Sequence, residues 1–519
     1  MKIAKQEEGY KAVSYIKVII EQHSQSKSTI PIPPHITKMR LLPTTILVAL
    51  ALSVVANSIV VPINKAPYAK RAILEPEQNV PIPDKEAQES AIHKRIAKHL
   101  RQTGFEKKDM MRVFSTTSST GTNPSKGNTV VEPIRGDKGY HFLHESNTPI
   151  DKQNLDYLHP PSTDQGNLPN TKWSFSLSHT RLLKGGWVRE QTVTDLPASK
   201  QVSAAELVLA PYAFRELHWH RVSEWAFMFN GTVRLTGIDQ DGGNYIDDVN
   251  AGDLWAFPGG VPHTLQAGPE GASFLLVFDD GDFDADGTTF MVDDWIAHTP
   301  KEVLAENLGW NQSVFEQIPT PDPYMVPGTE ESWTSLADAR ESIGENPAGG
   351  TSTPFAYHLS KVEPTKAPGG GGWVKITDYK SFNASRTLAS AIVHVEPGAL
   401  RELHWHKDVE WGYVIQGQGR ATAFSGNAKA RTFDVQAGDS WVFTTNFGHY
   451  IQNTGSEPLE FIEILRGHNF DDTVLFNEFT LNQWLALNPP SYVAQQLNVS
   501  VDLVKQLRKE KQQVIAARN

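Results

Sequence analysis

The chain has 519 residues, 39% of them hydrophobic and 21% charged, which suits two or three packed domains and not a membrane protein throughout. Lys and Arg number 48 against 59 Asp and Glu, a net charge of −11, which argues against general nucleic-acid binding through phosphate neutralisation. Cysteine is absent, so disulfides, zinc-thiolate sites, iron–sulfur clusters and thiol mechanisms are excluded, and any metal must be held by His, Asp and Glu.

In chain order, the first unusual segment is Leu41 to Pro62. Lys38 and Arg40 precede a short apolar run, Ile46 to Ala56, that ends on a small residue. That is the pattern of a secretory signal, and it is well short of the roughly 20 residues of a spanning helix. Met39 stands where such a signal would begin. The expectation is therefore a gene-model extension at 1–38, a signal peptide at 39–56, and a secreted protein with no stable membrane span once the signal is removed. A type-II membrane anchor is the alternative. Asn230, Asn311, Asn383 and Asn498 open acceptor sequons, in keeping with a secreted glycoprotein. Residues 57–132 are polar and rich in Ser and Thr, and read as a pro-segment or disordered arm.

From Pro133 the chain repeats itself. Arg215-Glu-Leu-His-Trp-His220 returns as Arg401-Glu-Leu-His-Trp-His406, an offset of 186 (401 − 215). The same offset carries Glu224 to Glu410, Asp253 to Asp439, Trp255 to Trp441 and His263 to His449. Two copies of one domain are implied, one at 133–325 and one at 354–519, joined by a Pro/Gly-rich linker at 326–353. Within each copy, apolar runs such as 206–210, 274–278, 391–395 and 461–465 are strand-like and bounded by Gly-rich turns. Stretches 294–309 and 482–499 read as helices, and 501–518 as a terminal surface helix. The reading is mainly β, a small antiparallel barrel with helical appendages in each copy.

His218 and His220 are two apart, so on a strand they share a face, and Glu224 keeps that parity. His263 follows a Pro-Gly-Gly turn. Three imidazoles and a carboxylate converging in a barrel leave coordination positions open, as in a catalytic metal site. His404, His406, Glu410 and His449 repeat the set. Oxygen and imidazole donors without sulfur admit Mn, Fe, Ni or Cu. Arg215 and Arg401, three residues before the first ligand of each set, could grip a metal-bound carboxylate through two parallel hydrogen bonds. Trp219 and Trp405 should face away from the metal and serve packing.

The duplicated histidine pattern resembles the bicupin branch of the cupin superfamily. The phrases at 133–139, 278–281, 294–303 and 482–487 resemble the oxalate decarboxylase family in particular. The resemblance implies two tandem cupin (double-stranded β-helix) barrels and a trimer or hexamer. It further implies an enzyme that splits oxalate into formate and carbon dioxide, with two Mn(II) per chain and dioxygen as co-catalyst. In that family the N-terminal site does the chemistry, and a glutamate in a lid after its last strand handles the proton. Here the lid, Asp282 to Phe290, contains no glutamate. Asp286, or failing that Asp284, takes its place in the expected mechanism. A lid without glutamate goes with oxalate oxidase activity in similar bicupins, so oxidase is the alternative, and a metal-binding storage bicupin is the non-enzyme alternative. Glu463, on the 461–465 strand, could face the second metal as an acid of that site. At the 186 offset its first-copy counterpart is Val277.

Overall fold

The computed structural model describes residues 160–284, 287–467 and 478–518. The segments 1–38, 39–56 and 57–132, and Asp286, lie outside them. Among the described residues no helix is long and apolar enough to cross a membrane.

Each copy is an antiparallel barrel, because its alternating sequence gives every strand one face to bury. In the first copy, Phe214–His220, Glu224–Ile238 and His263–Phe278 carry the candidate ligands, and the first two both pair with the third. In the second copy, Leu400–Trp405 pairs with Gly448–Asn453, and Val409–Gln416 pairs with Leu459–Arg466 and Asp439–Phe443. Trp225, Trp255, Trp411 and Trp441 are fully buried. One apolar core runs through both barrels, joining Phe274 and Leu207 to Trp411 and Ile462. Two hydrogen bonds reinforce it, from Trp411 Nε1 to Gln191 Oε1 at 2.8 Å and from Tyr413 Oη to Glu206 Oε1 at 2.7 Å.

The copies also exchange edge strands. Lys172–Ser174, ahead of the first barrel, pairs with Asp439–Phe443 of the second. Ala356–Tyr357, ahead of the second, pairs with Leu254–Phe257 of the first. Each arm places a basic side chain on the Asp of the other barrel's Ala-Gly-Asp turn. Lys172 Nζ lies 2.9 Å from Asp439 Oδ2, and His358 Nδ1 lies 3.0 Å from Asp253 Oδ2. Lys172 and His358 are themselves related by the 186 offset, so the exchange is reciprocal.

Two expectations about the elements need correction, and the linker carries elements of its own. The stretches 294–309 and 482–499 each form two helices, Val292–Ala297 with Lys301–Leu308 and Leu481–Ala486 with Pro490–Leu497. The breaks fall at Pro300 and Pro489, as expected of a residue that lacks an N–H and clashes with the preceding turn. The terminal stretch is not a surface helix. Helix stops after Val501–Val504, and Val514–Ile515 returns as a strand against Leu400 and Arg401. Val514 is fully buried there, and burial outweighs the mixed-charge pattern around it. The linker, finally, is structured. Met325–Val326 pairs with Phe214 and Arg215, and Leu336–Ile343 is a helix capped by the Ser335 hydroxyl.

Candidate metal centres

The three histidines and the glutamate of each copy converge. The ligand atoms of His218, His220, Glu224 and His263 all lie within 4.8 Å of one another, as do those of His404, His406, Glu410 and His449, and all eight residues are buried. Strand parity alone would put Arg215 on the face opposite His218. A β-bulge between them restores it, since Arg215 pairs with Leu265 and His218 with His263. The same irregularity lies between Arg401 and His404. An extra residue in one strand re-aims side chains in this way.

Backbone carbonyls fix the imidazoles. His218 Nδ1 donates to Glu216 O at 2.6 Å and His263 Nδ1 to Val261 O at 2.8 Å, while His220 Nδ1 pairs with Thr289 Oγ1 at 2.9 Å. In the second centre His404, His406 and His449 turn Nδ1 toward the carbonyls of Glu402, Asp408 and Phe447 at 2.7, 2.7 and 2.8 Å. Each Nε2 lone pair then points inward. Trp255 Nε1 donates to Glu224 Oε1 at 2.9 Å and Trp441 Nε1 to Glu410 Oε1 at 3.0 Å, leaving the other oxygen of each carboxylate toward the histidines. Such outer contacts set ligand orientation and basicity.

The electrostatics suit a cation. Burial, helped by the charge of Arg215, holds His218 well below its ordinary value, and burial lowers His220 to about 4. Burial and Arg401 do the same to His404. Burial opposes ionisation of Glu224, but His220 and His263, whose Nε2 atoms lie 3.2 and 3.6 Å from Oε2, keep it well below the carboxylate range. Nε2 of His220, His263 and His404 are buried without a hydrogen-bond partner. Inward Nε2 atoms without hydrogen-bond partners beside a buried carboxylate fit a divalent metal ion.

Around this shared core the centres differ. Arg215 Nη1 donates to Glu216 Oε1 at 3.2 Å and to Tyr324 O at 3.1 Å, and its guanidinium lies 3.8 Å from the centre of the Tyr324 ring. Among the described residues its Nη2 meets only Met291 Sδ, at 3.8 Å. Arg401 is held by two carboxylates. Nε donates to Glu463 Oε1 at 3.1 Å, and Nη1 and Nη2 reach Glu478 Oε1 and Oε2 at 3.3 and 2.5 Å. Burial pushes Glu463 up to about 8 even so close to Arg401. Its counterpart is not Val277. Glu463 pairs with Ala391 and Gly412 as Leu276 pairs with Ala205 and Ala226. The hairpin before it is one residue longer than in the first copy, and a slip of one residue exchanges the faces of a strand.

Of the lid candidates, Asp284 is described and exposed, and Asp286 is not among the described residues. The lid is pinned at both ends. Phe283 stacks on Phe278 at 4.0 Å, and the buried Thr288 hydroxyl donates to the Phe283 carbonyl. Partial burial, ahead of the charges of Asp282 and Asp195, raises the Asp284 carboxyl. Sequence reasoning missed Glu190, Tyr324 and Glu478. Burial, then the charge of Asp284, pushes Glu190 up to about 7, and Arg215 pulls it down. Trp219 and Trp405 pack outward as expected, stacked on Phe290 and Phe479 at 5.3 and 5.5 Å.

The cupin family model matches twice, at 176–315 and 359–505. The oxalate decarboxylase of Bacillus subtilis (strain 168) is 45% identical over 395 residues, 75% of this chain and 98% of that protein. The chain is a bicupin of the oxalate decarboxylase family. A probable oxalate decarboxylase of Arthroderma benhamiae is 41% identical to this bicupin over 75% of its chain and 95% of the relative. The solved structure of the Bacillus enzyme at pH 4.6 superposes on the bicupin with a TM-score of 0.68 at 45% identity, over 76% of its chain and all of the other. Another structure of the Bacillus enzyme comes from work on its Mn(II) centres, and is 44% identical with a TM-score of 0.68 over 75% of the bicupin and all of that chain.

Proposed function

We propose that this bicupin converts oxalate and a proton to formate and carbon dioxide, with Mn(II) held by His218, His220, Glu224 and His263 and by His404, His406, Glu410 and His449. The observation that carries the reading is the first centre, four buried inward-facing donors with the Arg215 guanidinium on their face of the strand. Bound manganese supplies Lewis-acid polarisation and one-electron chemistry. The chain's residues do the rest. Arg215, held by Tyr324 O and its ring, presents a planar fork that orients one oxalate carboxylate. Phe257 and Phe278 wall the site against His263 and His220 and keep water off it. With no net electron lost, the one-carbon fragment left after carbon dioxide departs needs one proton at carbon to become formate, whereas its oxidation would give a second carbon dioxide. We assign that delivery to Asp286 or, failing that, to Asp284, each a methylene shorter than the family's glutamate, with Gly287 at φ 78° giving the loop freedom to approach. Glu463 supports the second centre by holding Arg401.

Product analysis on oxalate tests the reading. Formate as the main product with manganese bound at two per chain is the expected result; hydrogen peroxide as the main product would make the chain an oxidase. If formate forms equally in Asp286→Asn, the reaction stands and the donor is elsewhere.

We also propose secretion and assembly into a trimer or hexamer. The signal-like segment and four exposed sequon asparagines support secretion, which N-terminal sequencing of protein from a culture medium would test. Trp295, Trp310, Trp484 and Tyr492 are exposed on or beside the helices, and an apolar groove of about 470 Å³ lies between Leu403, Phe424 and Trp484. Both support self-association, which light scattering would read.

A further inference from the structure

The fork of Arg401 is already filled. Both of its terminal nitrogens meet Glu478, Nη2 to Oε2 at 2.5 Å and Nη1 to Oε1 at 3.3 Å, the two-point geometry a guanidinium makes with a carboxylate. The same Oε2 lies 3.7 Å from His404 Nε2, an inward lone pair otherwise without a partner. Arg401, His404 and Glu478 are all buried. One carboxylate therefore bridges the arginine and the ligand cluster, which is the place a substrate carboxylate would take.

The first centre has no such group among the described residues. Phe479 pairs with Trp405 and Thr480 with His404, as Phe290 pairs with Trp219 and Met291 with His218, and Thr289 stands one step further, opposite His220. The residue in register with Glu478 is thus Thr289, whose short side chain turns to His220 Nδ1 at 2.9 Å. Arg215 Nη2 keeps no oxygen partner there. The buried Glu216 carboxylate meets this fork at Nη1 alone, at 3.2 Å, and Met291 and Tyr324 line the rest of it.

We propose that Glu478 is an internal carboxylate occupying the substrate position of the second centre, so that the chain binds one oxalate for two metal ions. The inference rests on oxalate being the substrate. Oxalate must displace a buried, bidentately paired carboxylate to enter the second centre, whereas at the first it meets a guanidinium whose Nη2 has no oxygen partner among the described residues. Leaving Glu478 displaced and buried would cost a charged group its partner, so occupancy by oxalate is confined to the first centre.

The test is a titration of the Mn(II)-loaded full chain with oxalate in the absence of dioxygen, followed by the manganese paramagnetic resonance signal. About half of the signal should respond in the wild type and nearly all of it in Glu478→Thr, which gives the second centre the residue of the first. Glu478→Gln keeps the shape without the charge and should likewise bring the second half of the signal into response; it serves if the threonine variant does not fold. A response of half the signal in a variant that retains both metal ions overturns the inference and leaves the proposed function standing. A full response in the wild type also overturns it. No response at either centre of the wild type overturns the inference and the proposed substrate together.

Discussion

The two centres use the same four-ligand plan and spend their arginines differently. At the first, the guanidinium rests on the Tyr324 ring and offers Nη2 to the site. At the second it is locked between Glu463 and Glu478. Duplication has kept the metal cage and let the surroundings of the arginine diverge, an aromatic ring on one side and two buried glutamates on the other. The lesson is that a repeated ligand set measures metal capacity and says little about how many sites turn over.

The largest expected break in this comparison is thermodynamic. Arg401→Met strands two buried carboxylates and should cost about 3–5 kcal/mol of stability, read by denaturant unfolding of the manganese-loaded protein. Arg215→Met, which leaves only Glu216 beside it, should cost distinctly less. Turnover should show the opposite pattern. Arg215→Lys keeps the charge and loses the fork, and kcat/KM for oxalate should fall about a hundredfold or more with metal content unchanged; Arg401→Lys should leave it within a few-fold. If Arg401→Lys is the damaging change, the chemistry belongs to the second centre. Third, Trp255→Phe and Trp441→Phe each remove the N–H that orients one glutamate ligand. Each should weaken manganese binding about 10–100-fold at its own centre alone, as metal titration would show.

The smallest effect is a pH dependence carried by one carboxyl of the first barrel. Burial raises Glu190 from its ordinary value to about 7, so between pH 4.5 and 7 the native state holds a proton that the unfolded chain has lost. Stability from this group is therefore present below the lower value and lost as pH rises to the upper one. Glu190→Gln should flatten the fall in Tm between pH 5 and 7.5, and an unchanged slope would remove Glu190 from the account.

The ligands were legible because histidine spacing at period two survives any detail of packing. The 186 offset paired Arg215 with Arg401, and His218 with His404, correctly. It failed after the first length change. The hairpin ahead of Glu463 is one residue longer, and Leu276 rather than Val277 faces it across the repeat. Past the lids the offset has grown to 189 (479 − 290), so Glu478 and Thr289 could not be matched by counting. Tyr324 was hidden for another reason. It lies in a Pro-rich stretch just ahead of the linker, with no strand or helix pattern, and it reaches Arg215 only because Met325 pairs with that strand. The bulge that turns Arg215 toward the ligands leaves no mark in the sequence at all. Whether Asp286 serves the proton lies outside the described residues.

The exchanged arms bear on how the molecule is made. The first barrel's edge at Leu254–Phe257 is covered by Ala356–Tyr357, which leave the ribosome a hundred residues later. Until then that edge stands open, a row of unpaired amides of the kind that recruits other strands. The second barrel is completed by a segment made long before it. Neither half reaches its final form alone, and each finishes by receiving a strand from the other. The two barrels should therefore mature in one concerted event late in synthesis, under the slow kinetics of distant strand pairing. Cutting the chain between them would yield two aggregating fragments, and mixing the fragments early would be the only route back to an enzyme.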